Sequence, residues 1–263
     1  MVDLYKEIRT RYGAVKRTRG FYVYTEKNVR LLDMCLDGGA AVTGRKNNNV
    51  SLTIKHFTDK GLYSFLPTSA DYTLQKALHI LFPEHPEVRF YSDYTEALQY
   101  IEVQTKEKTY LKNIWRPLLP ASENIKNRTC FFVQPPYCTE LKIAVYKKMA
   151  GVKIPEGCRV NALEKAALAR AFFDIIKFIE LSKKEKNTNA VAQYGQAKDL
   201  CAHFWNIENI YLFPKIKKTE YEYFFKGALD ARIVISPYFD IPSIFPNIKV
   251  YSELINFLQT KIN

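Results

Sequence analysis

The chain has few of the residues that usually announce chemistry. Its five cysteines, Cys35, Cys130, Cys138, Cys158 and Cys201, form no Cys-x-x-Cys pair and no Cys/His cluster. Their odd number and irregular spacing argue against a disulfide framework and against zinc, so reduced, mostly buried thiols are expected. The four histidines, His56, His79, His85 and His203, include no i, i+4 pair and no acidic neighbour at ligand spacing, and no metal site is expected. Neither a G-x-S-x-G elbow nor a P-loop occurs. No apolar run approaches the ~20 residues of a membrane helix. Residues 1–7 lack the apolar stretch of a signal peptide, so the expected location is the cytoplasm. Internal repeats and low-complexity linkers are absent as well.

Acidic residues are outnumbered: 27 Asp and Glu stand against 39 Lys and Arg, a formal charge of +12. That balance favours anionic partners in general. Yet no basic run is long or interleaved with a known binding motif, and a solvated basic surface is the simpler account. Nucleic-acid binding stays open as an alternative carried by Arg9, Arg11, Lys16, Arg17 and Arg19, but it is not the expected role. At 263 residues with 47% hydrophobic content, the chain has enough material for a full core.

Along the chain, 3–19 reads as a polar helix or arm. Residues 20–34 read as a hairpin, with Phe21 and Val23 on one face and Tyr22 and Tyr24 on the other. Gly38-Gly39 and Gly44 break the chain, and Lys46–Asn49 reads as a loop. The 3–4 spacing of Leu74, Ala77, Leu78 and Leu81 predicts a helix over 70–82, stopped by Pro83. Val88–Tyr91 reads as a strand, and Asp93 with Glu96 has the spacing of a capping box opening the next helix. Strands are expected at 129–133 and 141–146, and the strongest helix at 162–182, followed by a solvated break at 183–189. A short helix near 196–204, a strand at 209–213, a helix at 219–229, a buried strand at 233–235, a proline-rich crossing at 237–246 and a helix at 251–261 complete the order. Alternating helices and short strands make the fold class α/β or α+β. The chain is read as a single compact unit, 1–263, divisible into lobes 1–190 and 191–263.

Two stretches carry a family resemblance. In 20–103, Gly20-Phe21-Tyr22-Val23-Tyr24, then Arg30-Leu31-Leu32-Asp33, Gly38-Gly39 and Gly44 precede Phe90-Tyr91-Ser92-Asp93-Tyr94-Thr95-Glu96-Ala97. In 205–262, a strand and a helix lead through Arg232-Ile233-Val234-Ile235-Ser236-Pro237 to a final helix entered at Ser252-Glu253-Leu254. Together they resemble class III, fold-type I aminotransferases, which use pyridoxal phosphate. The resemblance implies an aminotransferase-like fold with much of the large cofactor domain missing and a C-terminal α/β small lobe. It also implies self-association as a homodimer.

The departures from the family pattern decide the expected chemistry. The Ser-Gly pair of the family's F-x-x-S-G-x-E-A turn is Asp93-Tyr94 here, and Arg45 stands where Gly-His commonly continues. The vestigial phosphate-cup position is Asp93, Tyr94 and Thr95. A cup needs free N–H groups at a helix N-terminus, whereas Asp93 can cap those donors itself and Tyr94 adds bulk. An acid partner for the cofactor should be an aspartate at a strand end, but Asp174 and Asp199 both fall in helical stretches. Lys142, Lys147, Lys148 and Lys153 lack the small-residue loop of a Schiff-base lysine. No cofactor and no catalytic residue are therefore assigned. The expected role is a non-catalytic, aminotransferase-like binding or scaffold module with an unknown protein or small-molecule partner. The alternatives are an enzyme on a rebuilt small-molecule site and a basic nucleic-acid-binding protein.

His79 is read as a packed histidine. Trp115 is read as structural, with Arg116 at the surface, in preference to a stacking site. Cys138, in a proline turn, could be an exposed thiol, but no partner base is visible.

Overall fold

The computed structural model describes residues 3–45, 48–105, 108–137, 139–148, 153–184 and 192–262. In chain order the first elements are α1 (Leu4–Tyr12), β1 (Val15–Arg19), β2 (Tyr22–Thr25), β3 (Arg30–Asp33) and the one-turn α2 (Leu36–Gly39). Then come α3 (Asn48–Asp59), α4 (Ser69–Leu81), β4 (Glu87–Tyr91), α5 (Thr95–Thr105) and a 3-10 turn (Tyr110–Asn113). They are followed by β5 (Ile114–Trp115), α6 (Pro120–Ile125), β6 (Cys130–Val133), β7 (Lys142–Tyr146) and α7 (Ala162–Lys184). The last group is α8 (Ala192–Phe204), β8 (Trp205–Glu208), β9 (Tyr211–Pro214), α9 (Tyr221–Asp230), β10 (Ile233–Val234), β11 (Ser243–Ile244) and α10 (Ser252–Ile262).

These elements make two compact units, Met1–Lys46 with Glu185–Asn263, and Asn47–Lys184. The sequence suggests one unit with lobes 1–190 and 191–263, which places the N-terminal hairpin with the middle region. The hairpin instead joins the C-terminal residues, because β10 pairs parallel with β3 through Ile233↔Leu32 and Val234↔Asp33. A parallel partner comes from far away in sequence, and nothing local to residues 20–34 announces it.

In the first unit, antiparallel β1-β2-β3 and β10 form one sheet, and β11-β9-β8 form another. The arm read over 3–19 is split: Asp3 caps α1 through the Lys6 N–H, and Val15–Arg19 is an exposed strand beside β2. The short helix expected near 196–204 is α8, which starts earlier and ends at Phe204; β8 follows it directly and turns into β9 at Asn209, whose φ is 57°. Val23, Leu31, Leu32, Ile233 and Val234 pack with Phe225, Leu229, Leu254 and Leu258 from α9 and α10. Burying each such side chain stabilises the unit by about 1.5–3 kcal/mol before conformational entropy is counted.

After β3 the backbone winds left-handed through Leu36 (φ 43°), Asp37 (55°), Gly38 (67°) and Gly39 (83°). A left-handed non-glycine residue costs about 1–2 kcal/mol, so the turn needs a clamp. Asp33 supplies it: fully buried, its Oδ1 accepts from the Cys35 and Leu36 N–H groups, both at 3.0 Å. Its Oδ2 accepts from Arg45 Nε at 2.7 Å, and Arg45 also bonds Asp37. Gly44 (φ 89°) lets the chain pass Gly20, where a Cβ would lie 3.0 Å from backbone atoms.

The second unit is a three-layer sandwich around the sheet β4-β7-β6-β5. Its central strands are buried on both faces, which explains their unbroken apolar runs. Phe131, Val133, Ile143 and Val145 face Leu74, Leu78, Leu168 and Phe172 of α4 and α7. Cys130, Phe132, Ala144 and Tyr146 face Ala97, Tyr100 and Ile101 of α5. The expected helix over 70–82 is α4, begun by a Thr68/Asp71 capping box. The loop read at 46–49 is corrected where it is described, since Asn48 and Asn49 open α3.

Candidate functional site

The candidate site lies where β4 ends and α5 begins. Tyr91, the last residue of β4, pairs with Lys142 at the start of β7. Its hydroxyl donates to the Pro155 carbonyl (3.2 Å) and lies 2.8 Å from the Tyr146 hydroxyl. These bonds anchor the strand end from both sides. The polypeptide then turns through Ser92, Asp93 and Tyr94 before Thr95 enters the helix.

Asp93 does occupy a helix-start donor, but not as a capping box. Its Oδ1 accepts from the Thr95 N–H at 2.7 Å, two residues on. That backbone bond, together with one from the Thr95 side chain, holds the Asp93 carboxyl below its ordinary pKa. A negative charge therefore stands at the N-terminus of α5, where the helix dipole favours it.

Tyr94 fills the space above the turn. Its ring stacks on Tyr110 at 4.2 Å between centroids, 9° from parallel, and meets the edge of Phe132 at 4.8 Å. The Lys142 ammonium lies 5.4 Å from the same ring centre, within cation–π range. Burial raises the Tyr94 pKa, against the lowering effects of Gln134 and Arg116. The phenol is thus neutral and set into the α5 face of the sheet core.

Pyridoxal phosphate does not fit these residues. The N–H of Thr95 is spoken for, the Asp93 carboxylate would face the phosphate dianion, and the Tyr94 ring stands on the turn. Asp174 bonds Arg170 and Asn49 at the α7 surface, and Asp199 lies on α8 of the other unit. Among the described residues, Lys142 lies against the turn, and it is a strand residue rather than a loop one.

Other expected residues sort as follows. Trp115 is buried and meets Phe82 edge-on at 4.8 Å, a structural role. Arg116 is also buried, which corrects its surface assignment. His79 is exposed rather than packed, whereas His85, in its turn, carries a buried ring. Cys35, Cys130 and Cys201 are buried and free, Cys158 is exposed, and Cys138 lies outside the described residues. In the basic arm, Arg11 bonds Glu7 and Asp230, and Arg17 lies 4.4 Å over the Tyr24 ring. Among the described residues no group of three His, Cys, Asp or Glu could hold a metal, and no helix is long and apolar enough to cross a membrane.

The sequence points to Asp93 and Tyr94 and offers Lys142 only as a poor Schiff-base candidate, whereas nothing in it marks Tyr110 or Phe132, which with Lys142 complete the closure. Their signal is tertiary: Tyr110 precedes β5, Phe132 sits on β6 and Lys142 opens β7.

No known family model matches the chain. A protein of Treponema pallidum (strain Nichols), described as uncharacterized, is 30% identical over 294 residues, covering 95% of this chain and 94% of that protein. Among solved structures, the omega-transaminase of Sphaerobacter thermophilus superposes with a TM-score of 0.66 at 9% identity, over 95% of this chain and 91% of that one. Plasmodium falciparum ornithine delta-aminotransferase gives 0.64 at 10%, over 97% of both chains. The acetylornithine aminotransferase of Elizabethkingia anophelis gives 0.60 at 10%, over 97% and 96%. The fold is that of aminotransferases, as the two resembling stretches implied.

Proposed function

The chain belongs to the same family as its Treponema pallidum relative and has the aminotransferase fold, and from that premise we propose that it is a cytoplasmic, non-catalytic binding or scaffold module. The observation that carries this reading is the stack of Tyr94 on Tyr110 over the turn whose donor Asp93 already caps. A fold retained while its cofactor position is filled by core side chains supports a role in binding rather than transamination.

We also propose self-association as a homodimer. The support is a set of large apolar side chains left at the surface of α3 and its connection to α4: Leu52, Tyr63, Phe65 and Leu66, each more than 60% exposed. Nucleic acid is not the proposed partner, since part of the basic arm is engaged within the protein.

The test is direct. Purified protein incubated with pyridoxal phosphate should show no aldimine absorbance, and borohydride should trap no unique lysine. A stoichiometric adduct on one lysine, Lys142 above all, would overturn the proposal and favour an enzyme on a rebuilt site.

A further inference from the structure

We propose that the groove beside α4 binds a small planar organic anion that also carries an O–H or N–H donor. This inference stands apart from the closed turn, with which the groove shares no residue. The cleft has a volume of about 240 Å³ and includes Tyr72, Gln75, Lys76, His79, His85 and Val88 in its lining. Tyr72, Gln75, Lys76 and His79 of α4 are spaced i, i+3, i+4 and i+7, so one helical stripe faces the cleft, with Leu78 of the same helix beside it. Leu74 and Ala77, between them, face the core.

Charge selects the ligand's sign. No carboxylate lines the groove. Lys76 enters no ion pair among the described residues, and Glu84, in the turn beside His85, is engaged by Lys147 at 2.6 Å. The groove's cation is thus uncompensated and faces a partly apolar cleft, which suits a carboxylate.

His85 selects the second group. The residue is only 2% exposed, and its Nε2 lies 2.8 Å from the Arg128 carbonyl oxygen. A carbonyl only accepts, so Nε2 carries the proton and the neutral ring leaves Nδ1 as an acceptor. No hydrogen bond among the described residues meets Nδ1. Burial, which lowers the His85 pKa, keeps this acceptor unprotonated. His85 lines the cleft, and an open Nδ1 acceptor there suits a donor on the ligand. Tyr72, 69% exposed, offers a ring face, and Val88 and Pro86 offer apolar wall. The chemistry that matches all three is a planar aromatic carboxylate bearing a hydroxyl or ring N–H.

The experiment titrates the full chain with 4-hydroxybenzoate while following the histidine imidazole resonances by NMR. Saturable shifts are expected at His79 and His85. Benzoate, without the donor, and 4-hydroxybenzamide, without the charge, should each bind about tenfold more weakly. Lys76→Gln, at an exposed position, should lower affinity for 4-hydroxybenzoate about tenfold and leave 4-hydroxybenzamide unchanged. The benzoate comparison tests the His85 contact without replacing a buried residue. Absence of a saturable His85 shift up to about 10 mM, a free energy too small for a built site, would overturn the proposal. Equal affinity for the three compounds would overturn it as well.

Discussion

Arg45 donates from Nε to Asp33 Oδ2 at 2.7 Å, and the carboxylate that receives it is fully buried. Burial works to lower the Arg45 pKa, but the carboxylates, Asp33 first, outweigh it and leave the guanidinium more firmly charged. The residue that departs from the family pattern is thus a counter-ion for the clamp of the left-handed turn. Arg45→Met should destabilise the first unit by about 3 kcal/mol, because it leaves a buried charge without its partner. Urea unfolding followed by circular dichroism measures this. A loss below about 0.5 kcal/mol, the range of ordinary surface substitutions, would show that Asp33 is held by the backbone donors alone.

Tyr94→Ala should cost about 2 kcal/mol, roughly half the loss for a fully buried aromatic, since the ring is only partly covered. Asp93→Ser with Tyr94→Gly frees the Thr95 donor and clears the turn. That double variant should gain weak affinity for inorganic phosphate by calorimetry. It should show no transamination with any amino donor, because among the described residues no lysine is placed in a loop at the turn.

The buried His85 ring makes stability depend on pH in a defined window. Burial, the largest cause, lowers its pKa below the ordinary 6.5. The unfolded chain therefore binds the proton first. The stability His85 contributes is fully present above pH 6.5 and is lost as pH falls from there through the depressed folded value. Unfolding midpoints of the native chain should drop between pH 7 and 5, and His85→Gln should flatten that drop. An unchanged slope in the variant would assign the window to another group.

Self-association predicts a dimer by sedimentation at tens of micromolar, weakened by charge on the exposed apolar set. Phe65→Glu with Leu66→Glu should shift the equilibrium toward monomer without altering the thermal midpoint of the monomer. A native chain that sediments as a monomer throughout that range contradicts the proposal.

The basic surface should bind labelled RNA or DNA only weakly at physiological salt. Any binding should fall steeply with salt, as counterion release requires. Submicromolar binding that charge reversal at Arg9, Arg11, Lys16, Arg17 and Arg19 abolishes would restore the nucleic-acid reading.

Local patterns in the sequence determined much of the secondary structure and the broad fold. The stripe of Leu74, Ala77 and Leu78 specified α4, the apolar runs within 129–133 and 141–146 specified central strands, and Gly38 and Gly44 marked backbone that a side chain would obstruct. The Asp93-Tyr94 pair was legible too, as a departure from the Ser-Gly turn of the resembling family. What the tertiary structure alone decided is which distant residues meet. Ile233 and Val234 draw the N-terminal hairpin into the C-terminal unit, Tyr110 and Phe132 close over Tyr94, and Arg128 turns His85 into a one-sided acceptor. Periodicity describes neighbours three or four residues apart. It does not encode a stack across 16 positions or a strand pairing across two hundred, because those contacts follow from how buried surfaces fit once the elements have formed.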